Sequence, residues 1–232
     1  MQLRSADLDD PETLKRALND AQIIYAMTDF WQSLSATVEE KQGNELMDIA
    51  AKLPKLEHMI WASLPDGKTI SGGKYPNILH WQSKAAVTNY IQTKHPALWE
   101  KTTEVLFPNY FENCVTQAGR YLPVKVSLHS QSSFRIVCLT SAQQENGDYV
   151  RSFVLRPSTL LPNVSIEDTG KLVGHVLENA EKYHKKTIAF YAEALSESEK
   201  AQRIAECTSE LILRMRFANL SHFHSVQHHR SV

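Results

Sequence analysis

Gln22-Ile23-Ile24-Tyr25-Ala26-Met27, followed at once by Thr28-Asp29-Phe30-Trp31, is the stretch on which the fold turns. Its first six residues make a short apolar run of the kind shown by strands buried in parallel sheets. The next four set a hydroxyl, a carboxylate and two aromatic rings at the strand's carboxyl end, where open α/β sheets meet their ligands. Upstream, Asp10-Pro11 reads as a helix start, an acidic cap followed by proline in the first turn, and Leu14, Ala17, Leu18 and Ala21 share one face. Downstream, Val38, Gln42, Leu46, Ile49, Ala50 and Leu53 trace a helical stripe that Pro54 ends. Residues 58–62 read as a second strand, 83–93 as a helix carrying Val87, Tyr90 and Ile91, and 103–107 as a further strand. Parallel neighbours need a long crossover, so this alternation predicts an α/β fold with a parallel sheet flanked by helices.

After about residue 122 the pattern changes. Residues 124–128, 134–139 and 149–155 read as strands, with Asn146-Gly147 as a tight turn between two of them. Ser165 and Asp168 form a capping box before residues 166–179, where Ile166, Leu172, Val173, Val176 and Leu177 are expected to face inward. Residues 186–191 read as another strand, and Ser196 with Glu199 opens an amphipathic helix running to about residue 219. The expected organisation is a sheet domain over 1–122, a smaller mixed α/β C-terminal lobe over 123–220 and a histidine-containing tail over 221–232. The tail's His222, His224, His228 and His229 have no nearby cysteine or carboxylate cluster to complete a coordination shell, so no metal is expected there.

The 232 residues, 42% hydrophobic and 22% charged, suffice for a substantial core. A formal net charge of -1 and the lack of a lysine and arginine cluster argue against a direct nucleic-acid partner or an anionic membrane. Three widely spaced cysteines, Cys114, Cys138 and Cys207, suggest neither a disulfide framework nor a zinc site, and a reducing interior is expected. The polar, acidic first ten residues do not read as a signal peptide, so the expected location is cytoplasmic or nuclear.

Four segments carry a resemblance: Ala6-Asp7-Leu8-Asp9-Asp10, Thr28-Asp29-Phe30-Trp31, His80-Trp81-Gln82-Ser83-Lys84 and Tyr110-Phe111-Glu112-Asn113. On these the chain resembles the NmrA-like family, atypical short-chain dehydrogenases built on a Rossmann sheet that bind NAD(P) and serve as redox-sensing regulators or oxidoreductases. The resemblance implies roles. Asp7 would lie beside the adenine, or cap the following helix. Thr28 would bond the cofactor ribose or phosphates, with Asp29 in the same segment, and Phe30 and Trp31 would pack on the cofactor's flat surfaces or simply join the core. Lys41 would contact the cofactor, or is an ordinary surface lysine. Ser63 resembles a family serine at the sheet edge. Phe111 would cover a ring and Asn113 would bond a carboxamide, with Tyr110 and Glu112 beside them; the plain alternative is a buried aromatic turn.

His80 stands where typical short-chain dehydrogenases place the tyrosine of Tyr-x-x-x-Lys. There a helix turn aligns the two side chains, the ammonium lowers the phenol pKa and the phenol exchanges a proton with substrate. Related NmrA-like sequences share the His-x-x-x-Lys form, so the resemblance makes His80 the candidate proton donor and Lys84 the holder of the nicotinamide ribose.

The family's sheet opens with a glycine-rich loop whose backbone amides approach two phosphates. Glycines 43, 67, 72, 73, 119, 147, 170 and 174 give no G-x-G-x-x-G. The resemblance begins where the family's third strand should be, which predicts a truncated Rossmann-like sheet, weakened cofactor affinity and an exposed apolar edge around Ile23, Ile24 and Tyr25, to be covered by a homodimer or a protein partner. The first functional reading is an NADP(H)-linked oxidoreductase, with NAD as the other cofactor, acting on a small carbonyl or alkene substrate in specialised metabolism. The alternative is a non-catalytic NAD(P) sensor that binds a transcription factor or other protein; the third is a nonfunctional fragment.

Overall fold

The first helix begins where its cap chemistry says it should. In the computed structural model, which describes residues 3–113, 123–124, 141–143, 149–151, 156 and 158–207, α1 (Pro11–Leu18) is capped by the Asp10 carboxylate, which accepts from the Glu12 and Thr13 amides. β1 (Ile23–Ala26) follows, then the one-turn α2 (Phe30–Ser33) and α3 (Ala36–Ala50). β2 (His58–Ser63), α4 (Gly67–Ile70), α5 (Leu79–Lys94), α6 (Pro96–Trp99) and β3 (Thr102–Leu106) complete the alternating run.

The remaining elements are β4 (Asn109–Tyr110), β5 (Pro123–Val124), β6 (Ser141–Gln143), β7 (Tyr149–Arg151), β8 (Leu161–Val164), α7 (Ile166–Glu178), α8 (Ala180–Tyr183), β9 (Lys186–Ala189), β10 (Glu193–Leu195) and α9 (Glu197–Cys207). Two compact units result. The first comprises Met1–Phe107 and Glu167–Phe190, the second Pro108–Ile166 and Tyr191–Val232.

In the first unit the sheet order is β1-β2-β3-β9, all parallel. This is the α/β architecture that the alternation predicts. Strand order follows chain order, without a reversal among the described strands, and β1 is an edge. Its side chains alternate: Ile24 and Ala26 are buried, whereas Ile23 and Tyr25 are exposed. The expected apolar edge is thus real at Ile23 and Tyr25 but not at Ile24, which packs inward with Leu46, Met59, Trp61, Val87 and Ile91. β1 is half-buried, unlike the fully buried strand that its apolar run suggests, because only one of its faces is covered.

α3 also differs in phase from its expected stripe. Its buried positions are Glu39, Gln42, Gly43, Leu46, Met47, Ile49 and Ala50, while Val38 is exposed. The helix is rotated so that a glutamate takes the inner position assigned to a valine. Gly43 lets α3 approach α5, since a Cβ there would stand 2.4 Å from Val87 Cγ2.

The second unit holds two three-stranded sheets, β10-β8-β4 and β5-β6-β7, each mixing parallel and antiparallel pairs. The Ser196/Glu199 capping box forms in both directions: the Ser196 amide donates to Glu199 Oε2 (2.7 Å) and the Glu199 amide to Ser196 Oγ (3.2 Å). At α7 the first amide, that of Ile166, donates to both Glu112 oxygens at 3.1 Å, so a carboxylate from after β4 closes this end. Of the α7 residues expected to face inward only Val176 is fully buried, and Ile166 is exposed. The expected strand at 134–139, the Asn146-Gly147 turn, the helix beyond Cys207, the histidine tail, Cys114 and Cys138 lie outside the described residues. Among the described residues no helix is long and apolar enough to cross a membrane, and no group of three or more metal-ligating side chains occurs.

Candidate functional site

β1 ends at Ala26, and two residues later Thr28 is buried at 2% exposure. Asp29 then caps α2, accepting from the Trp31 amide at 2.9 Å. That cap fixes the direction of the two aromatics: Phe30 points into the core and Trp31 stays 59% exposed. α5 begins at Leu79, four residues before the expected start, so His80, Ser83 and Lys84 all belong to its first turns. His80 and Lys84 therefore stand one turn apart on the same face.

Three elements meet at a buried carboxylate. Glu39, at 0% exposure in α3, accepts from Thr28 Oγ1 at 2.7 Å and from Ser83 Oγ, and forms an ion pair with Lys84 Nζ at 2.8 Å. Lys84 Nζ further donates to the Thr28 carbonyl (2.7 Å) and Thr28 Oγ1 (3.0 Å), and lies over the Trp61 ring at 5.7 Å. The ammonium thus has two hydrogen bonds to Thr28 and an ion pair with Glu39. The Lys84 side chain is 13% exposed, so the pair sits in a poorly solvated place where its Coulomb attraction is little screened.

His80 lies among rings, with centroids 5.7 Å from Phe30, 5.2 Å from Trp31 and 6.4 Å from Trp81. Burial pushes its pKa below the ordinary histidine value; the Glu39 charge opposes that shift and the Lys84 charge adds to it. The uncharged imidazole is thereby favoured.

A second polar layer lies at Trp61 on β2. Its Nε1 donates to Thr88 Oγ1 (3.2 Å), which lies 3.0 Å from Ser63 Oγ and donates to Glu104 Oε1 at 2.6 Å; Thr187 Oγ1 donates to Glu104 Oε2 at 2.6 Å. Ser63, the serine of the sequence resemblance, is thus tied into a network joining β2, α5, β3 and β9.

The other candidates have contacts of their own. Asp7 accepts the Asp9 amide (2.9 Å), and its own amide donates to Thr13 Oγ1 (2.9 Å), an arrangement that shapes the turn before α1. Lys41 is 69% exposed and pairs with Glu45 at 3.7 Å. It lines an open cleft of about 330 Å³ with Thr37, Glu40, Asn44, Glu45 and Asp48, to which neither His80 nor Lys84 contributes. Tyr110, Phe111, Glu112 and Asn113 belong to the second unit. There the Phe111 amide donates to the Val164 carbonyl (3.0 Å) and Asn113 Nδ2 to Asn109 Oδ1 (3.0 Å), while Glu112 holds the start of α7.

Of the sequence candidates, then, Thr28, Asp29, Phe30, His80 and Lys84 come together at the carboxyl end of β1. Glu39, Ser83, Thr88 and Glu104 were missed. The signal for Glu39 was its position: it precedes Gln42, Gly43, Leu46 and Met47 by three, four, seven and eight residues, so a charge lay on the inner stripe.

A family model described as the NmrA-like family matches residues 1–225. The chain belongs to the NmrA-like family. Its fold is shared with the crystal structure of NmrA, a negative transcriptional regulator, in complex with NAD: TM-score 0.69 at 18% identity, covering 94% of this chain and 59% of NmrA. It is shared also with the Citrobacter sp. triphenylmethane reductase complexed with NADP(H), at TM-score 0.62 and 14% identity over 94% and 63% of the two chains. Vestitone reductase from alfalfa (Medicago sativa L.) matches at TM-score 0.57 and 12% identity over 90% and 67%. At these identities the likeness is one of fold, and the NmrA-like chain spans about three-fifths of NmrA's length.

Proposed function

We propose that this NmrA-like chain binds a nicotinamide dinucleotide beside Lys84 and works as a sensor that passes the bound state to a protein partner such as a transcription factor, without hydride transfer of its own. One observation carries this reading: the ammonium that would prepare a proton donor is held by Glu39 and Thr28, and the imidazole beside it is packed among rings, where burial disfavours its charged form. Hydride transfer to a carbonyl needs a proton delivered to the developing alkoxide, and an imidazole whose pKa is lowered is sparsely protonated at neutral pH. Binding needs less. A ring edge or face can pack against the exposed Trp31, and the loop carrying Thr28 lies at the carboxyl end of a parallel strand. NmrA, whose crystals hold NAD or NADP, is a regulator by its description, which supports both parts of the reading.

The second reading is an NADP(H)-linked oxidoreductase acting on a small carbonyl or alkene. The one-turn spacing of His80 and Lys84 favours it, as do the reductases among the similar folds.

The test is a titration of the purified chain with NADH and NADPH, read by tryptophan fluorescence and repeated with Trp31→Phe. The expected result is saturable quenching that Trp31→Phe diminishes and Lys84→Ala weakens roughly tenfold or more, the loss of one charge-assisted contact. Sustained NADPH consumption with a carbonyl panel, abolished by His80→Ala and Lys84→Ala in folded protein, would replace this reading with the reductase. Absence of saturable binding to a folded chain would remove both.

A further inference from the structure

We propose that Glu39 is the positioning residue of the site, the buried counter-ion that fixes where the Lys84 ammonium stands and thereby the charge that an anionic ligand meets. Among the described residues, the groups that meet its carboxylate come from segments bearing a candidate binding residue: the Thr28 hydroxyl from the loop after β1 and the Ser83 hydroxyl from α5 donate to it, and the Lys84 ammonium from α5 pairs with it. Glu39 itself is wholly buried in α3, so it touches no ligand and acts through those three side chains. Its contacts close a ring, in which Thr28 Oγ1 gives its proton to Glu39 and accepts one from Lys84, while the Lys84 ammonium pairs directly with the Glu39 charge. The ring is unsymmetrical. A ligand hydroxyl or phosphate oxygen at the exposed side of Lys84 can take over the donors now directed at Thr28, but cannot draw the ammonium away from the buried carboxylate, because that would leave Glu39 without its counter-ion in the core.

Carboxylate-to-amide exchange separates the charge from the shape. Glu39→Gln keeps the volume and acceptor oxygen but removes the negative charge that faces Lys84 and His80. The pKa of His80, followed by NMR in Glu39→Gln and in Lys84→Met, is the readout that a purely structural role would not move. It is expected to fall in the first variant and rise in the second. Equal titration of His80 in wild type and Glu39→Gln, both folded, overturns the proposal.

A second arm rests on the dinucleotide reading above. NADPH affinity is expected to fall at least tenfold in Glu39→Gln and to be regained in Glu39→Asp if the shorter carboxylate still reaches Lys84. If wild type fails to bind NADPH, the functional reading fails, while the His80 titration still decides the role of Glu39. Unchanged NADPH affinity in Glu39→Gln overturns the positioning role even where His80 titrates as expected.

Discussion

His58 and His184 show how a single buried residue ties stability to pH. His58 opens β2 at 2% exposure, its Nε2 lies 2.8 Å from Thr103 Oγ1, and its ring meets that of His184 edge to face with centroids 4.5 Å apart. Neither His58 Nδ1 nor His184 Nε2 has a hydrogen-bond partner. A proton on His58 would place a charge in the core, close to a second imidazole. Burial, and next the His184 charge, hold its pKa down at about 4, against 6.5 ordinarily. The unfolded chain therefore binds a proton below pH 6.5 that the folded chain refuses until about pH 4. This contribution to stability is complete above pH 6.5 and is lost progressively as the pH falls toward 4. The loss is up to about 1.4 kcal/mol for each pH unit crossed. Urea unfolding at pH 7 and pH 5 should show the fall in wild type and a flatter profile in His58→Gln; parallel profiles would mean that other groups carry the acid sensitivity.

At the scale of elements, the contact of α3 with α5 holds the site together, since Glu39 is on one helix and Ser83 and Lys84 are on the other. Gly43 and Val87 set its spacing. Val87 is fully buried and β-branched, so its methyls have little freedom to turn away from a Cβ placed 2.4 Å from one of them. Gly43→Ala gains about 1 kcal/mol of helix propensity. It loses about 1–3 kcal/mol to overpacking, and a net destabilisation is expected in the urea midpoint. Val87→Ala should relieve much of that penalty in the double variant, giving a non-additive cycle; additive effects would show that the helices are spaced by other contacts. Local chemistry sets the starts of α1, α2 and α9: Asp10, Asp29 and Ser196 all cap as their residue types predict. Glu112 could not be read in this way, because its partner amide belongs to Ile166, fifty-four residues on.

Across the whole sheet of the first unit, burial is graded. β2 and β3 lie between parallel partners and are almost entirely buried, β1 alternates, and β9 is largely exposed. Amides of Ile60, Trp61, Glu104 and Val105 should therefore exchange with solvent only on global unfolding, and those of β1 and β9 through smaller openings. Hydrogen exchange resolved by residue tests this ordering, and protection in β1 equal to that in β2 would contradict it. The grading bears on function, because Thr28 follows the less protected β1 while Ser83 and Lys84 stand on a helix packed against the protected strands.

The sequence by itself determined the alternation of strands and helices up to β3 and its parallel pairing, from short-range causes: apolar runs and capping side chains. Thr28, His80 and Lys84 are singled out by the family resemblance, and the fold is what sets Lys84 on Thr28. The tertiary structure decided what distant segments do to one another. It set the rotation of α3 that buries Glu39 in place of Val38, the exposure of Ile23 and Tyr25 beside a buried Ile24, and the pairing of residues 186–189 with β3. It alone set the Lys84 ammonium against Glu39 and Thr28. Periodicity reports which face of an element is apolar, whereas the partner of a buried charge is fixed by the packing of chain segments far apart in sequence, and that packing turned a motif lysine into one arm of a closed ring.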